Sequence, residues 1–459
     1  MARVALINPR ISGEARYGRF KDVGSYLPPY GLLSIAAVLE EAGHTVRVLD
    51  ADSRKGLSFT KLALAVADFY PDVIGLTAYS IGRKSVIKTA RLLRRISGAP
   101  IVVGGPHVTT WPNDLLGVDV IDFLVYGEGE ETMLNLVENS ADPRGVIETA
   151  KGRTHPPRPV IEDLDVLPFP AFHLLDDLHD YAPMQLLYKK RPVLTLITGR
   201  GCPFNCIFCY SVWGRKVRLN SAAYVARLVE YVRDRFGVKE VMFYEDTFCI
   251  DKGRVSELCE ILRVADLGVS WSCSANVRTL DLPLLKRMKA AGCWLISIGI
   301  ESGSDKVLEF IKKPARVAEV QWVCAYAAAA GIKLRGFFML GNPTETRETI
   351  RQTIDFAKEL PLLTVNFCIL QLMPGSEVRK IAHNYGTTDY RLELGSGHPQ
   401  DALSFVPHGL TEKYLRAAQK RAYREFFLRP IQIWRLLRSV DSWEDVRKYW
   451  RLFVTFLKL

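Results

Sequence analysis

Short apolar, β-rich runs alternate with helix-length stretches along most of this 459-residue chain, and that alternation restricts its fold more than any other feature. Parallel strands need a crossover of a dozen or more residues, usually a helix, so the pattern reads as repeated βα units on parallel sheets. A first series predicts strands at Arg3–Asn8, Thr45–Asp50, Val73–Thr77, Ile101–Gly104 and Phe123–Tyr126. Helices are expected between them at Tyr30–Ala42, Ser58–Phe69, Lys84–Ile96 and Glu128–Asn139, the first ended by Gly43 as a C-cap glycine. A second series predicts strands at Val193–Thr198, Glu240–Tyr244, Ser270–Ser274, Trp294–Ile300, Lys333–Met339 and Thr364–Leu370. The expected fold is α/β: a doubly wound, Rossmann-like parallel sheet, then a partial (β/α)6 barrel with a helical C-terminal extension.

Between the two series periodicity fades and Pro156, Pro157, Pro159, Pro168 and Pro170 gather, as in a linker crossing a surface. The predicted boundaries are a first domain at 1–140, a linker at 141–191, the barrel at 192–372 and the helical extension at 373–459. No apolar stretch reaches the roughly 18–20 residues of a membrane span, and the N-terminus reads as a strand rather than a signal peptide. Nine cysteines are too few and too irregular for a disulfide framework, which predicts reduced thiols and a cytoplasmic location. The net charge of +11 is concentrated at the end, where residues 411–459 hold twelve Lys/Arg against five Asp/Glu. Aromatic and arginine residues at helical spacing there, including Trp434 and Trp450, read as a face packed on the barrel or as a peripheral membrane contact. Nothing matches a nucleic-acid-binding module.

Three of the thiols stand together. Thr198-Gly-Arg-Gly-Cys-Pro-Phe-Asn-Cys-Ile-Phe-Cys-Tyr210 sets Cys202, Cys206 and Cys209 at Cys-x3-Cys-x2-Cys on the loop after the first barrel strand, where βα folds place their sites. Three thiolates can hold three irons of a cubane cluster and leave the fourth iron open. A structural zinc site asks for four protein ligands, and no fourth Cys or His lies near in sequence. The other cysteines, Cys249, Cys259, Cys273, Cys293 and Cys324, read as small core side chains. Cys368, in the sixth strand, is a candidate for a thiol facing the barrel interior.

The triplet, with Phe208 before its last cysteine, resembles the signature of the radical S-adenosylmethionine superfamily. Glu245-Asp-Thr-Phe248, Gly299-Ile-Glu-Ser-Gly303 and Gly341-Asn-Pro-Thr-Glu-Thr346 are similar to family segments at strand ends, although Asn342 departs from the apolar residue expected there. The resemblance implies a [4Fe-4S] cluster on the three cysteines and S-adenosylmethionine chelating the open iron. It implies Glu301 at the ribose, Phe208 beside the adenine, Ser274 with Asn276 or Arg335 near the methionyl or ribose groups, and Asp246 as a further contact.

In the first domain, Ile74–Ser80, Val103–His107 and Tyr126–Glu130 close three successive strands with small residues, which lets a bulky ligand approach the backbone. With Tyr26-Leu-Pro-Pro-Tyr-Gly-Leu-Leu33, this resembles the cobalamin-binding domains that precede radical S-adenosylmethionine barrels. The resemblance implies cobalamin contacts at Gly31, Thr77, Ser80, Gly104, Gly105, His107, Gly127 and Glu128. The loop from Pro9 to Pro28 holds no histidine, so the Asp-x-His-x-x-Gly cobalt-ligand motif of other cobalamin domains is missing and no protein imidazole is expected below the cobalt. The function implied is methyl transfer to an unactivated carbon of a small or lipophilic substrate through a 5′-deoxyadenosyl radical and methylcobalamin, with flavodoxin or ferredoxin as electron donor. Radical cyclisation or oxidation with the same cofactors, as in anaerobic porphyrin-ester cyclases, and a non-catalytic cobalamin or redox sensor are the alternatives.

Overall fold

A computed structural model describes residues 1–17, 24–390, 403–438, 440, 443, 446–448 and 450. The chain divides into two compact units, with the break between Tyr181 and Ala182.

In the first unit β1 (Arg3–Asn8), β2 (Thr45–Asp50), β3 (Val73–Thr77), β4 (Ile101–Gly104) and β5 (Phe123–Val125) run parallel in the order β2-β1-β3-β4-β5. This order is doubly wound, with its switch point between β1 and β3. Helices Tyr30–Glu41, Phe59–Phe69, Arg83–Arg94 and Glu130–Val137 are the main crossovers. Sheets covered on both faces are built from near-continuous apolar strands, and Val4, Ala5, Leu6 and Ile7 of β1 are all buried. The sheet is larger than the sequence predicts. Residues 141–191, expected to be a linker, contribute β6 (Val146–Glu148) and β7 (Arg153–Thr154), both antiparallel. Backbone pairing holds these edge strands, and neither is long enough to show a period. Glu128 secures the same segment, its Oε2 accepting the Ile161 amide at 2.8 Å.

In the second unit β8 (Val193–Leu196), β9 (Glu240–Phe243), β10 (Ser270–Ala275), β11 (Cys293–Glu301), β12 (Lys333–Leu340) and β13 (Thr364–Ile369) form one parallel sheet in chain order. The crossover helices begin at side-chain caps, which satisfy amides that no helical partner reaches. Ser221, Asp251, Asp281 and Thr346 accept from the amides of Tyr224, Arg254, Leu284 and Thr349 respectively. Gly237 ends the first of these, and Gly331 the helix Val317–Ala330, in the left-handed conformation.

A partial barrel leaves its last strand with an edge of unpaired amides and carbonyls. C-terminal side chains cover it. On helix Glu412–Phe427, Gln419 donates to the Phe367 carbonyl at 2.8 Å, and the Tyr423 hydroxyl accepts the Phe367 amide at 3.0 Å while donating to Asn366 Oδ1 at 3.0 Å. Gln432, on helix Pro430–Leu437, donates to the Leu363 carbonyl at 2.7 Å. Among the described residues no helix is long and apolar enough to cross a membrane.

Candidate active site

The cysteine loop leaves β8 under tight control. Gly199–Arg200 pairs with Arg218–Leu219, and the Cys202 amide donates to the Gly214 carbonyl at 3.2 Å. Gly201 has φ +92°, and a Cβ there would stand 2.1 Å from the Lys216 carbonyl oxygen, so only glycine fits. Within the loop the Cys209 amide donates to the Cys206 carbonyl at 3.1 Å. Ile207, between ligands, is fully buried and tied to Ile311 and Val378 by backbone bonds of 3.1 and 2.8 Å. Phe208 packs against the same apolar cluster.

Below the loop, Glu245 is buried and holds Thr198, its Oε1 and Oε2 accepting from the hydroxyl at 3.2 and 3.0 Å. Arg254 completes the buttress, donating to the Thr198 hydroxyl at 2.8 Å and to the Asn220 carbonyl at 2.7 Å. Asp246, the acid singled out in the sequence, accepts from Ser211 at 3.1 Å and lies where its charge reaches Cys202 and Cys209.

All three thiols are free. Burial pushes each pKa up, Cys209 to about 11 with Asp246 adding to the effect, while Arg215 opposes the rise at all three. Thiolate ligands here therefore need positive charge close by. Lys313 supplies it. Its ammonium is buried and 2.9 Å from Glu301 Oε1. Burial disfavours this charge, but Glu301 together with the Cys206 and Cys209 thiols outweighs burial and raises the Lys313 pKa above the ordinary lysine value. Glu301 ends β11 at φ +67°, after a register shift following Gly299. A Cβ on Gly299 would stand 2.5 Å from both Glu301 Oε1 and Lys313 Nζ, so the ion pair occupies the space the glycine leaves.

Ser274 is half-buried on β10. Asn276 is buried and caps the short turn after β10, its Oδ1 accepting the Arg278 amide at 3.0 Å. Arg335 on β12 lies over the Phe337 ring at 4.4 Å. Cys368 on β13 is accessible although it sits mid-strand, its thiol donating to the Phe338 carbonyl at 3.2 Å; the protein packed around it, with Glu301 adding, pushes the thiol up to about 12. The structure thus groups Glu301 with Cys206, and sets Cys368 within reach of both Glu301 and Arg335.

In the first unit, the strand ends approach one another through glycine. Gly105 has φ +97°, and a Cβ there would stand 2.7 Å from Thr77 Oγ1. Gly104 lies closest to Val125, and Gly127, at φ +81°, faces open space. One expected cobalamin contact is corrected. His107 is fully buried, with Nδ1 3.1 Å from Ser80 Oγ and Nε2 3.0 Å from Asp114 Oδ2, so neither ring nitrogen is available to a ligand. Its action is on Ser80. A Cβ on Gly31 would meet nothing within 4 Å, so Gly31, like Gly127, faces open space. Glu128, buried and bonded to Ile161, also acts within the fold.

Two family models match the chain: the radical SAM superfamily over residues 196–357 and the B12 binding domain over residues 19–137. An uncharacterized methyltransferase of Pyrococcus horikoshii is 33% identical over 424 residues, covering 89% of each chain. The chain belongs to the cobalamin-dependent radical S-adenosylmethionine methyltransferase family. An anaerobic magnesium-protoporphyrin IX monomethyl ester cyclase of Rubrivivax gelatinosus is 27% identical over 396 residues, covering 82% of this chain and 69% of the relative. The radical S-adenosylmethionine methyltransferase TsrM of Kitasatospora setae, solved with its tryptophan substrate, shares the fold at a TM-score of 0.69 and 19% identity, covering 84% of this chain and 76% of TsrM.

The cofactors of this family are a [4Fe-4S] cluster, S-adenosylmethionine and cobalamin. The residues present fit the first. Three free thiols share one clamped loop with a buried ammonium beside them. Among the described residues no three His, Cys, Asp or Glu groups converge as ligands of a single ion, and a cubane sets its thiolates on different irons. Glycines close the strand ends there, Gly104 and Gly105 packing against neighbouring strand ends and Gly127 facing open space, which fits the approach of a bulky planar ligand to the backbone.

Proposed function

We propose that this enzyme transfers a methyl group to an unactivated carbon of a small or lipophilic substrate. The observation that carries the reading is the set of free thiols on one loop with the Glu301–Lys313 pair at the barrel mouth, in a chain whose other unit matches the B12 binding domain. When bound, the cluster with S-adenosylmethionine supplies a carbon-centred radical that removes substrate hydrogen, and cobalamin supplies the methyl group.

The chain's own residues bind, orient and shield. Cys202, Cys206 and Cys209 hold the cluster, with Glu245 and Arg254 fixing where their loop begins. Glu301 receives the ribose hydroxyls, and Lys313 balances the negative charge of the thiolates and of the methionyl carboxylate. Phe208, Ser274 and Asn276 complete the nucleoside side, with Asp246 near the cysteines. Thr77, Ser80, Gly104, Gly105 and Gly127 form the cobalamin edge, His107 holding the Ser80 hydroxyl in place. All five described histidines of the first unit are already bonded or ion-paired, His44 to the Ala2 amide, His107 to Asp114, His155 to Glu148, His173 to Glu40 and His179 to Asp177. The absence of any histidine between Pro9 and Pro28 in the sequence supports cobalamin without a protein imidazole. A flavodoxin- or ferredoxin-type donor and a cytoplasmic setting complete the reading, the latter supported by nine free cysteines.

The test is anaerobic reconstitution followed by incubation with S-adenosylmethionine, a low-potential reductant and candidate substrates. Methyl transfer produces 5′-deoxyadenosine and S-adenosylhomocysteine together, and a product heavier by one CH2. Deoxyadenosine alone would assign a radical cyclase or oxidase instead, and neither product would assign a sensor.

A further inference from the structure

The inner face of the barrel carries a polar row beneath the cysteine loop. Lateral register sets Ser274, Ser297, Arg335 and Thr364 side by side across β10 to β13, then Phe337 beside Asn366, and Met339 beside Cys368. Residues paired laterally in a parallel sheet project to the same face. Cys368 and Tyr244 are both exposed, so this face opens on space rather than on packed side chains. Ser272, two residues before Ser274 and on the same face, is 2% exposed with its hydroxyl unpartnered among the described residues.

Arg335 is the cation of this row. The titratable groups that face it are Tyr244, Tyr423 and Cys368, and Cys368 and Tyr423 are both pushed up to about 12 by burial, hence uncharged at neutral pH. Among the described residues no carboxylate pairs with it. Two other cations of the barrel have carboxylate partners, Lys313 in Glu301 at 2.9 Å and Arg254 in Glu245 at 3.9 Å. Partial burial with no counter-ion disfavours the Arg335 charge and lowers its pKa, and an arriving oxyanion that accepts two parallel N–H bonds offsets that penalty. The methionyl carboxylate belongs beside the cysteine loop, where Lys313 is the resident cation coupled to Cys206 and Cys209. Arg335 is coupled to none of the three cluster thiols.

We propose that Arg335 is the receptor for an anionic group of the substrate, a carboxylate or phosphonate-type oxyanion seated in the barrel beside Cys368. This names a substrate class for the methyl-transfer site and rests on that assignment of the barrel. The Phe337 ring lies 4.4 Å from the guanidinium carbon, and Ser297, the lateral neighbour of Arg335, offers a hydroxyl to the same oxyanion.

The experiment uses the full chain, reconstituted anaerobically with iron, sulfide and hydroxocobalamin and saturated with S-adenosylmethionine. Calorimetric binding of phenylphosphonate and benzoate is compared with that of uncharged benzamide, in wild type, Arg335→Lys and Arg335→Met. The expected result is a preference for the anions of about tenfold or more, partly kept in Arg335→Lys and abolished in Arg335→Met, with S-adenosylmethionine affinity unchanged in all three. Equal anion preference in Arg335→Met, or no binding of either anion to wild type, overturns the proposal. Loss of S-adenosylmethionine affinity in Arg335→Met also overturns it, by assigning the oxyanion to the methionyl group. Iron content and circular dichroism identify a misfolded variant, and Arg335→Lys then carries the comparison. Failure of methyl transfer is read separately, as missing S-adenosylhomocysteine, and leaves these binding constants intact.

Discussion

The two candidate ligand-binding edges of this protein are built by opposite means. At the barrel mouth charged side chains do the holding: a buried ion pair, three thiols and a buttressed loop. At the edge of the doubly wound sheet glycine backbone makes the surface, and the nearest histidine is turned inward. A small, highly charged cluster needs ligands and counter-charge, whereas a wide planar cofactor needs area free of side chains. The barrel mouth is therefore expected to fail abruptly when one group is removed, and the glycine edge gradually.

Cys206→Ser breaks the comparison most severely. Iron content and S-adenosylmethionine cleavage are both expected to be lost, while hydroxocobalamin still shifts the optical spectrum of the variant. Lys313→Met comes next, because it strands a buried carboxylate. It should lower stability by about 3–5 kcal/mol in chemical denaturation and weaken S-adenosylmethionine binding, and adding Glu301→Gln should recover the stability but not the binding. Gly105→Ala tests the other edge. Its φ of +97° and the contact with Thr77 predict a loss of about 1–3 kcal/mol and weaker cobalamin binding, with iron content unchanged.

The last effect, confined to a pH window, concerns Asp50 at the end of β2. Burial pushes it up to about 6, against bonds from Tyr181, Asp52 and Asn8 that favour the carboxylate. An unfolded aspartate titrates near ~3.9, so the folded value is the raised one. Its stabilising contribution is complete below the unfolded value and is lost as pH rises through about 6. Asp50→Asn removes that loss and should gain up to roughly 3 kcal/mol relative to wild type between about pH 4 and about pH 7. Denaturation midpoints across that range decide it, and a flat difference would show that Asp50 titrates normally.

Much of the fold is legible in the sequence because long parallel strands and capped helices leave strong periodic marks. The predicted ends of β8 to β13 lie within two residues of those observed. β6 and β7 escape such a reading because two or three residues carry no period and proline lies close by. The cysteine triplet is legible because its ligands are local. Lys313 is not, since Lys312-Lys313 looks like a solvated basic pair and only the turn after helix Asp305–Phe310 buries one of them. Glu245 hides beside Asp246, because neighbouring acids cannot be told apart until the strand end fixes which one turns inward. His107 follows a glycine pair at a strand end, as a ligand contact would, and only Asp114, seven residues on, reveals its inward tether.

Three uncharged side chains, Gln419, Tyr423 and Gln432, stand where a closed barrel would have its next strand. Shortening the chain ahead of Gln419 would turn β13 into an adhesive ribbon, ready to recruit a strand from a neighbouring molecule. How far this terminus can be trimmed is thus decided by self-association, before any chemistry at the metal is affected.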